Sequence, residues 1–285
     1  MDSKPFTEVL ASHDGSKIYG AGRTLIMGIL NITPDSFSDG AMFIDPFLAE
    51  EYAGKMVSWG ADIIDVGGES TRPGSMPVSA DEELGRILPV LKKLKGKIAV
   101  PVSVDTYKSG VARRALDEGA SWINDITALR HDPVMAGVIA SYGAGVILMH
   151  IKGEPRTMQD SPVYSDIVGE ISDHLRGSIE IAENAGISPD RIIVDPGIGF
   201  GKTTAQNIHI LRNLREFRAL GKPVMVGLSR KSLIGTLTGK DVHDRVFGTA
   251  AGVALSIMNG ADIVRVHDVR EMKDVAAFMD GVIRK

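Results

Sequence analysis

The chain has 285 residues, of which 44% are hydrophobic and 24% are charged, and its formal net charge is −4. This length suits two ordinary domains or one large α/β barrel, and 32 basic against 36 acidic residues create no overall positive field toward nucleic acid or an anionic membrane. The absence of cysteine excludes a disulfide framework, thiol catalysis and thiolate metal sites. The N-terminus has no apolar signal core and no apolar run reaches the length of a membrane span, so we expect a cytoplasmic protein.

The first elements along the chain predict a hairpin and then a series of parallel strands. Before residue 24, Asp14-Gly15 lies between two short β-like stretches and predicts a hairpin over about residues 6–22, which caps the floor of the main fold. Eight apolar runs that end in a polar residue follow: TLIMGILN, ADIIDVGG, IAVPVSVD, SWINDI, AGVILMH, RIIVDP, KPVMVGLSRKS and ADIVRVHD. Continuous rather than alternating runs are typical of parallel strands that are covered on both faces.

Helix-like stretches lie between most of these runs, and their ends carry recognisable signals. Ser79 and Glu82 have the spacing of a capping box before ADEELGRILPVLKKL. Four glycines stand where a left-handed cap would end a helix: Gly60, Gly119, Gly143 and Gly260.

Eight strands that alternate with helices predict a (β/α)8 barrel over about residues 23–285, in a single domain that spans 1–285 with the hairpin. An open doubly wound sheet is the alternative. The strand count and the lack of a nucleotide-binding glycine motif after the first strand disfavour it.

Three motif matches fail on inspection. GIGFGKTT resembles a phosphate-binding loop, but its required first glycine falls on Pro196, and a dinucleotide-binding motif fails because position 202 is Lys202. GLSRK around Ser229 lacks the second glycine of a nucleophile elbow. The seven histidines show no tight zinc spacing. A hydrolase or an NAD-dependent enzyme therefore has no motif to support it.

The ends of the predicted strands carry most of the polar residues of interest. In a (β/α)8 barrel the site lies at the C-terminal ends of the strands. The residues there are Asn31, Asp65, Glu69, Ser70, Thr71, Arg72, Asp105, Asn124, Asp125, Met149, His150, Asp195, Arg230, Lys231, Ser232, Arg265 and His267. So many carboxylates at one mouth need partners or a ligand, because an unpaired buried charge costs several kcal/mol. Asp65 and Asp125 equally suit a structural role, with neighbouring backbone satisfying the carboxylate.

These residues form two chemical groups. Asp105, Asn124 and Asp195 offer acceptors and an amide to a flat heterocycle with several N–H donors, since a carboxylate accepts two parallel hydrogen bonds from an amidine-like edge. Met149 supplies an apolar wall. The second group is cationic and suits a phosphate, because loops after the last strands of such barrels commonly bind phosphate. Its members are Lys231, Ser232, Arg265 and His267. Asn31 offers a neutral oxygen to a hard cation such as Mg²⁺.

Eight motifs in order resemble the dihydropteroate synthase family of pterin-binding enzymes: NITPDSFSDG, DVGGESTRPG, VSVDT, IND, LMH, DPGIGFGK, SRKS and RVHDV. The resemblance runs from about residue 23 to the C-terminus. It implies a (β/α)8 barrel that condenses (7,8-dihydropterin-6-yl)methyl diphosphate with 4-aminobenzoate, a step of folate biosynthesis that sulfonamides block. The implied products are 7,8-dihydropteroate and diphosphate. Mg²⁺ and a homodimer are implied as well.

The resemblance also implies roles for residues. The residues implied to bind the pterin are Asp105, Asn124, Asp195 and Lys231, with Met149 as an apolar wall. The diphosphate and Mg²⁺ region falls on Asn31, Arg265 and His267, with Thr71 nearby. The aminobenzoate region falls on Phe37, Asp39, Thr71, Arg72, Pro73, Phe200, Lys231 and Ser232. The expected catalytic residues are Asp39, Lys231, Arg265 and His267. Asp39 lies on a loop able to close, where it would stabilise a pterin cation or accept the amine proton.

One position departs from the family pattern, and two other functions stay open. Ala41 follows Gly40 where the resemblance leads us to expect a second glycine, and its methyl group restricts the loop if φ > 0 is needed there. The alternatives are a methyltetrahydrofolate:corrinoid methyltransferase, which uses a similar barrel, and a pterin-binding paralogue without catalysis. SRKS and the NITPDSFSDG/STRPG pair favour the synthase, because a methyltransferase has no aminobenzoate to bind.

Overall fold

The computed structural model describes residues 10–11, 17–18, 22–33, 45–72, 74–160 and 162–283. Its strands are β1 (Leu10–Ala11), β2 (Lys17–Ile18), β3 (Leu25–Asn31), β4 (Ile63–Gly67), β5 (Val102–Asp105), β6 (Trp122–Asp125), β7 (Gly145–Met149), β8 (Ile192–Asp195), β9 (Met225–Val226) and β10 (Ile263–Val266). Its α-helices are α1 (Pro46–Ser58), α2 (Ala80–Leu94), α3 (Ser109–Asp117), α4 (Met135–Ser141), α5 (Ile167–Asn184), α6 (Thr204–Arg212), α7 (Ser232–Thr238), α8 (Val246–Met258) and α9 (Val269–Ile283). Short 3₁₀ segments lie at Pro189–Arg191, Leu214–Leu220 and Val242–Asp244.

Strands β3 to β10 form one parallel sheet in the order β8-β7-β6-β5-β4-β3-β10-β9. The two ends of this sheet meet, because Val194 pairs with Val224 in a parallel bridge. The Val194 N–H also donates to the Pro223 carbonyl oxygen at 3.0 Å. The sheet is therefore closed, which confirms the (β/α)8 barrel and rules out the open doubly wound alternative.

The predicted N-terminal hairpin is confirmed as an antiparallel pair. Leu10 lies opposite Ile18, and Ala11 lies opposite Lys17. The proposed turn at Asp14-Gly15 lies outside the described residues, and a position under the barrel floor stays a prediction. We propose that the chain is one domain, because a single cluster of buried apolar side chains takes in every barrel strand and every helix from α1 to α9.

Side chains that alternate along the strands fill the inside of the barrel. Ile26 and Leu30 face the helices, whereas Leu25 and Met27 belong to a separate buried cluster. That inner cluster also holds Ile63, Trp122, Ile147, Ile193, Met225 and Ile263. Met27 and Trp122 are almost completely buried and belong to the core. This cluster uses early or middle residues of seven of the eight barrel strands, so the C-terminal ends remain available to polar side chains.

The backbone of Gly145 lies close to the Trp122 ring, so a side chain at this position should destabilise the protein. A Cβ atom at Gly145 would lie 2.4 Å from Cε3 of Trp122. We expect Gly145→Ala to lower the free energy of unfolding by about 1–3 kcal/mol through overpacking. Gly137→Ala is the matched control, because no atom lies within 4 Å of a Cβ at that position in α4. It should stabilise the protein by roughly 0.5–1 kcal/mol. Urea unfolding measures both, and equal effects would contradict the packing argument.

The helix ends partly follow the sequence signals. Ser79 Oγ accepts a hydrogen bond from Glu82 N–H at 3.2 Å, but the Glu82 carboxylate binds Arg86, so only half of the expected capping box forms. A complete box joins Thr203 and Gln206 at the start of α6, which the sequence analysis missed. The four cap glycines have positive φ as predicted: Gly60, Gly119, Gly143 and Gly260. No helix in the described ranges is long and apolar enough to cross a membrane.

Candidate active site

Neighbouring strands place the predicted polar residues side by side at the mouth of the barrel. Asn31 is in register with Gly67, Gly67 with Asp105, and Asp105 with Asn124. Gly67 leaves room between its neighbours, since a Cβ there would lie 3.5 Å from Asn31 Oδ1 and 3.6 Å from Asp105 Cβ. On the next strands, Met149 is paired with Asp195.

Arg265 connects the two chemical groups of the mouth. Its Nε donates to Oδ2 of Asp65 at 2.6 Å, and its Nη2 donates to Oδ2 of Asp105 at 2.8 Å. The same Asp65 oxygen accepts a hydrogen bond from Nδ2 of Asn124 at 3.1 Å. One guanidinium and one buried carboxylate therefore fix the orientation of Asp105 and Asn124, the two residues that we expect to face a heterocycle.

Lys231 and Asp195 form the second part of the mouth. Lys231 Nζ donates to the Ile198 carbonyl oxygen and lies 4.5 Å from the centre of the Phe200 ring. Asp195 Oδ1 accepts the Gly197 N–H at 2.7 Å. A Cβ atom at Gly227 would lie 3.7 Å from Cβ of Arg265 and 4.0 Å from Oδ2 of Asp195, so Gly227 leaves space between those two side chains.

His267 is held next to this cluster by the loops after β9 and β10. Its Nδ1 lies 3.1 Å from Ser229 Oγ, and its backbone N–H donates to the same oxygen at 3.2 Å. Arg230 binds Asp268 through both Nε and Nη2, the first contact being 3.0 Å. Because Arg230 precedes Lys231 and Asp268 follows His267, this two-point ion pair ties together the loops that carry both residues.

Burial sets the charge states of the mouth. Burial raises the pKa of Asp105, against the lowering influence of Arg265, and it raises the pKa of Asp195 against Lys231. Burial lowers the pKa of Lys231 to about 8 and that of His267 to about 3. Burial works to lower the pKa of Arg265 too, but Asp65 and Asp105 outweigh it and the pKa is raised. At neutral pH the cations are therefore Arg265 and Lys231, and His267 is a neutral donor or acceptor.

The remaining predicted residues are less tightly held or lie outside the described ranges. Thr71 is half-buried and Arg72 is exposed, both in the loop after β4, where the Arg72 side chain is close enough to His267 to lower its pKa. Ser232 is exposed and begins α7, directly after Lys231. Phe37, Asp39, Ala41 and Pro73 lie outside the described residues.

Asp65 and Asp125, the two carboxylates that also suit a structural role, have different surroundings. Asp125 accepts hydrogen bonds from Thr127 N–H, Thr127 Oγ1 and Leu129 N–H at 2.7–2.9 Å, so it is a structural residue that organises its own loop. Asp65 is fully buried, and its Oδ2 accepts hydrogen bonds from the side chains of Arg265 and Asn124, not from neighbouring backbone. Its Oδ1 has no hydrogen-bond partner among the described residues. The signal in the sequence was the carboxylate of Asp65 between Ile64 and Val66, inside the apolar part of ADIIDVGG.

Mg²⁺ fits the donors of this site as a substrate-associated ion. Among the described residues, no group of three or more His, Cys, Asp or Glu side chains is arranged to hold a metal. Asn31 is half-buried at the end of β3, and its side chain makes no hydrogen bond with another described residue. Mg²⁺ typically keeps several waters and binds through few protein oxygens plus substrate phosphates, so the Asn31 carboxamide oxygen suits an ion that arrives with a diphosphate substrate.

Comparisons with known proteins match this chain to pterin-binding enzymes. The family model described as "Pterin binding enzyme" matches residues 27–267. A dihydropteroate synthase from Synechocystis sp. is 47% identical over 92% of this chain and 91% of that protein. The crystal structure of a dihydropteroate synthase from Clostridium difficile with pteroic acid has 48% identity and a TM-score of 0.88, and covers 94% of this chain and 99% of that one. A Xanthomonas albilineans dihydropteroate synthase structure with 4-aminobenzoic acid has 42% identity and a TM-score of 0.89, and covers 97% of this chain and 98% of that one.

Proposed function

The chain belongs to the pterin-binding enzyme family, and we infer that it catalyses the dihydropteroate synthase reaction. The substrates are (7,8-dihydropterin-6-yl)methyl diphosphate and 4-aminobenzoate, and the products are 7,8-dihydropteroate and diphosphate. The observation that carries this inference is the mouth of the barrel, where Arg265 links the acceptor group to the cationic group in one set of contacts.

The acceptor group is assigned to the pterin ring. Asp105, Asn124 and Asp195 stand at the C-terminal ends of β5, β6 and β8, where they present carboxylate and amide groups to the N–H donors of the heterocycle. Met149, at the end of β7, supplies an apolar wall, and Lys231 adds a positive charge beside Asp195. Raised pKa values of Asp105 and Asp195 are consistent with carboxylates that await a donor-rich ligand.

The cationic group is assigned to the diphosphate. Arg265 and His267 come from the end of β10, where such barrels often hold phosphate. Neutral His267 donates a hydrogen bond without adding charge. Asn31 would hold Mg²⁺, which would neutralise charge on the leaving diphosphate.

The second substrate is assigned to the outer part of the mouth. We propose that 4-aminobenzoate binds among Thr71, Arg72, Phe200 and Ser232, together with Phe37 and Pro73. Arg72 or Ser232 suits its carboxylate, and the Phe200 ring suits its aromatic face. Asp39 is proposed to stabilise the pterin cation or to accept the amine proton. An Asp39→Ala variant that retains full turnover would exclude that role.

The reaction breaks one C–O bond and forms one C–N bond. The methylene carbon on the pterin loses diphosphate with the bonding electron pair, and the electron-rich ring stabilises the cation that forms. The aromatic amine then attacks this carbon and releases one proton. The task of the site is to orient the reactants and to stabilise charge, so no strong nucleophile is required.

Turnover with both substrates tests the proposed function. Purified protein with Mg²⁺, pterin diphosphate and 4-aminobenzoate should release diphosphate and form dihydropteroate in equal amounts. Pterin binding without diphosphate release would support a non-catalytic paralogue instead. Methyl transfer from methyltetrahydrofolate to a corrinoid would support the methyltransferase.

The pKa of Lys231 predicts the alkaline limb of the pH profile. Since kcat/KM reports the free enzyme, its value for pterin diphosphate should fall as pH rises through about 8, where Lys231 loses its charge. Lys231→Arg retains a charged side chain at all of these pH values and should move the limb upward by more than about 2 pH units, even if its absolute rate is lower. Steady-state rates from pH 6.5 to about 10 measure this. An unchanged limb in Lys231→Arg would contradict the assignment.

We propose that the protein is a homodimer, with α8 at the interface. The sequence of α8, VFGTAAGVALSIM, contains no charged residue. Its inner face packs on the barrel, while Phe247, Ala251, Leu255 and Met258 form an exposed apolar stripe at helical spacing. Phe278 and Val282 are exposed on α9, which packs against α8. An apolar surface of this kind supports association with a second copy.

Light scattering coupled to size-exclusion chromatography checks the dimer. The wild-type protein should elute with twice the mass of one chain, and Phe247→Glu should shift it to the monomer. Leu48→Glu, at an exposed apolar position on α1, is the matched control and should leave the mass unchanged. A monomeric wild type, or a dimeric Phe247→Glu, would contradict the proposed interface.

The cytoplasmic location also stays a proposal, which cell fractionation would check.

A further inference from the structure

The glycine-rich segment Gly197–Lys202, which fails as a phosphate-binding loop, closes around the amino group of its own lysine. Lys202 is only 2% exposed. Its Nζ donates to the carbonyl oxygens of Gly197 and Phe200, each at 2.9 Å, and to that of His150 at 3.3 Å. It also lies 3.0 Å from Nδ1 of His150. A lysine is almost never buried so fully unless it is paired, and here its partners are two carbonyls of the loop itself together with the carbonyl and the ring of His150.

The glycines allow this conformation. Gly197, Gly199 and Gly201 have φ of 70°, 86° and 62°. A Cβ atom at Gly197 would lie 1.9 Å from the His150 carbonyl oxygen, and one at Gly201 would lie 2.2 Å from the Lys152 carbonyl oxygen. In a phosphate-binding loop the backbone N–H groups point at an anion. In this loop two carbonyl groups point inward at a donor.

The same loop carries the groups that hold the active-site side chains. Gly197 N–H donates to Asp195, and the Ile198 carbonyl accepts from Lys231. The Phe200 ring lies beneath the Lys231 amino group. Lys202 is therefore linked to Asp195 and to Lys231 through this loop.

We propose that Lys202 is a positioning residue of this active site. Its amino group fixes the Gly197–Lys202 loop, and the loop in turn orients Asp195 and Lys231 toward the pterin. Lys202 itself touches no substrate. This proposal rests on the proposed function, which supplies the substrate. The activity of each Lys202 variant is therefore compared with that of an active wild type.

Two substitutions of similar size separate hydrogen bonding from the filling of space. Lys202→Met fills the cavity but donates nothing, whereas Lys202→Gln retains N–H donors. We expect Lys202→Met to lower kcat/KM for pterin diphosphate by roughly 10- to 100-fold, as for other residues that orient active-site groups. Lys202→Gln should keep clearly more of the activity.

Lys222 provides the matched control. It is also buried, and its Nζ donates to Glu183 and to the Pro189 carbonyl, but it precedes β9 at the opposite end of the barrel. Lys222→Met should therefore lower the melting temperature without changing kcat/KM. This comparison separates a general cost of losing a buried lysine from an effect on the site.

Chemical rescue gives the most specific readout. In Lys202→Ala, ethylammonium can enter the vacated space and donate to the same carbonyls, whereas tetramethylammonium has no N–H group. We expect ethylammonium to raise kcat/KM and pterin affinity several-fold at constant ionic strength, and tetramethylammonium to have no effect. If Lys202→Ala does not fold, the Met and Gln variants decide the question.

The outcomes distinguish this proposal from the proposed function. An inactive wild type contradicts the function, while pterin affinity of the variants still tests the loop. An active wild type with Lys202→Met equal to it, or with Lys202→Met and Lys202→Gln equally impaired, overturns the role of Lys202. Equal rescue by both ammonium ions would also overturn it.

Discussion

Arg265→Met is expected to lower kcat/KM for pterin diphosphate by at least about 10³-fold, because one side chain serves both halves of the site. The substitution removes the charge assigned to the diphosphate. It also releases Asp65 and Asp105 from the guanidinium that fixes them. Arg265→Lys should recover little, since one ammonium cannot bind two carboxylates with the planar geometry of a guanidinium. Steady-state kinetics with each substrate varied in turn measure the loss.

Stability must be measured in parallel, because Arg265 belongs to a buried ion network. Removing one partner of a buried pair typically costs about 3–5 kcal/mol, since the other charge stays buried and uncompensated. Adding Asp65→Asn to Arg265→Met should restore part of the stability without restoring activity. If activity returned together with stability, Arg265 would be a structural residue only, and the assignment to diphosphate would be wrong.

Asp195→Asn is expected to lower kcat/KM for pterin diphosphate by about 10²- to 10³-fold. The amide is nearly isosteric but loses the negative charge that balances Lys231 and that accepts from the donor edge of the pterin. KM for 4-aminobenzoate should change little, because Asp195 lies at the end of β8 with the pterin group.

Asp125→Asn is the matched control for this effect. Asp125 is an equally buried carboxylate at the end of a nearby strand, but its partners are Thr127 and Leu129. It should lose stability with little change in kcat/KM. Similar kinetic losses in both variants would show that any buried carboxylate at this end is required for folding, and not that Asp195 binds substrate.

Local patterns in the sequence were sufficient to predict the barrel and the rim at which the candidate polar residues meet. Each continuous apolar run ending in a polar residue became a strand of the barrel, and the strand register then brought Asn31, Asp105 and Asn124 to one rim. The cap glycines such as Gly60 and Gly260 were predictable because a helix end is a local event. Similarly, the run KPVMVGLSRKS marked β9, although only Met225 and Val226 have strand geometry.

Contacts between distant parts of the chain were not predictable in the same way. Arg265 binds Asp65 across 200 positions and Asp105 across 160, and no spacing rule links such residues. The contacts of Lys202 were not predictable for another reason. The motif GIGFGK resembles loops whose N–H groups bind phosphate, whereas the backbone here turns the carbonyls of Gly197 and Phe200 inward.

A crystal structure with pterin diphosphate and 4-aminobenzoate bound is the most direct test of where the chemistry takes place. The pterin is expected to contact Asp105, Asn124 and Asp195, with the diphosphate at Arg265 and His267. A pterin bound elsewhere, for example in the cavity of about 460 Å³ lined by His150, Tyr164 and His174, would contradict this account.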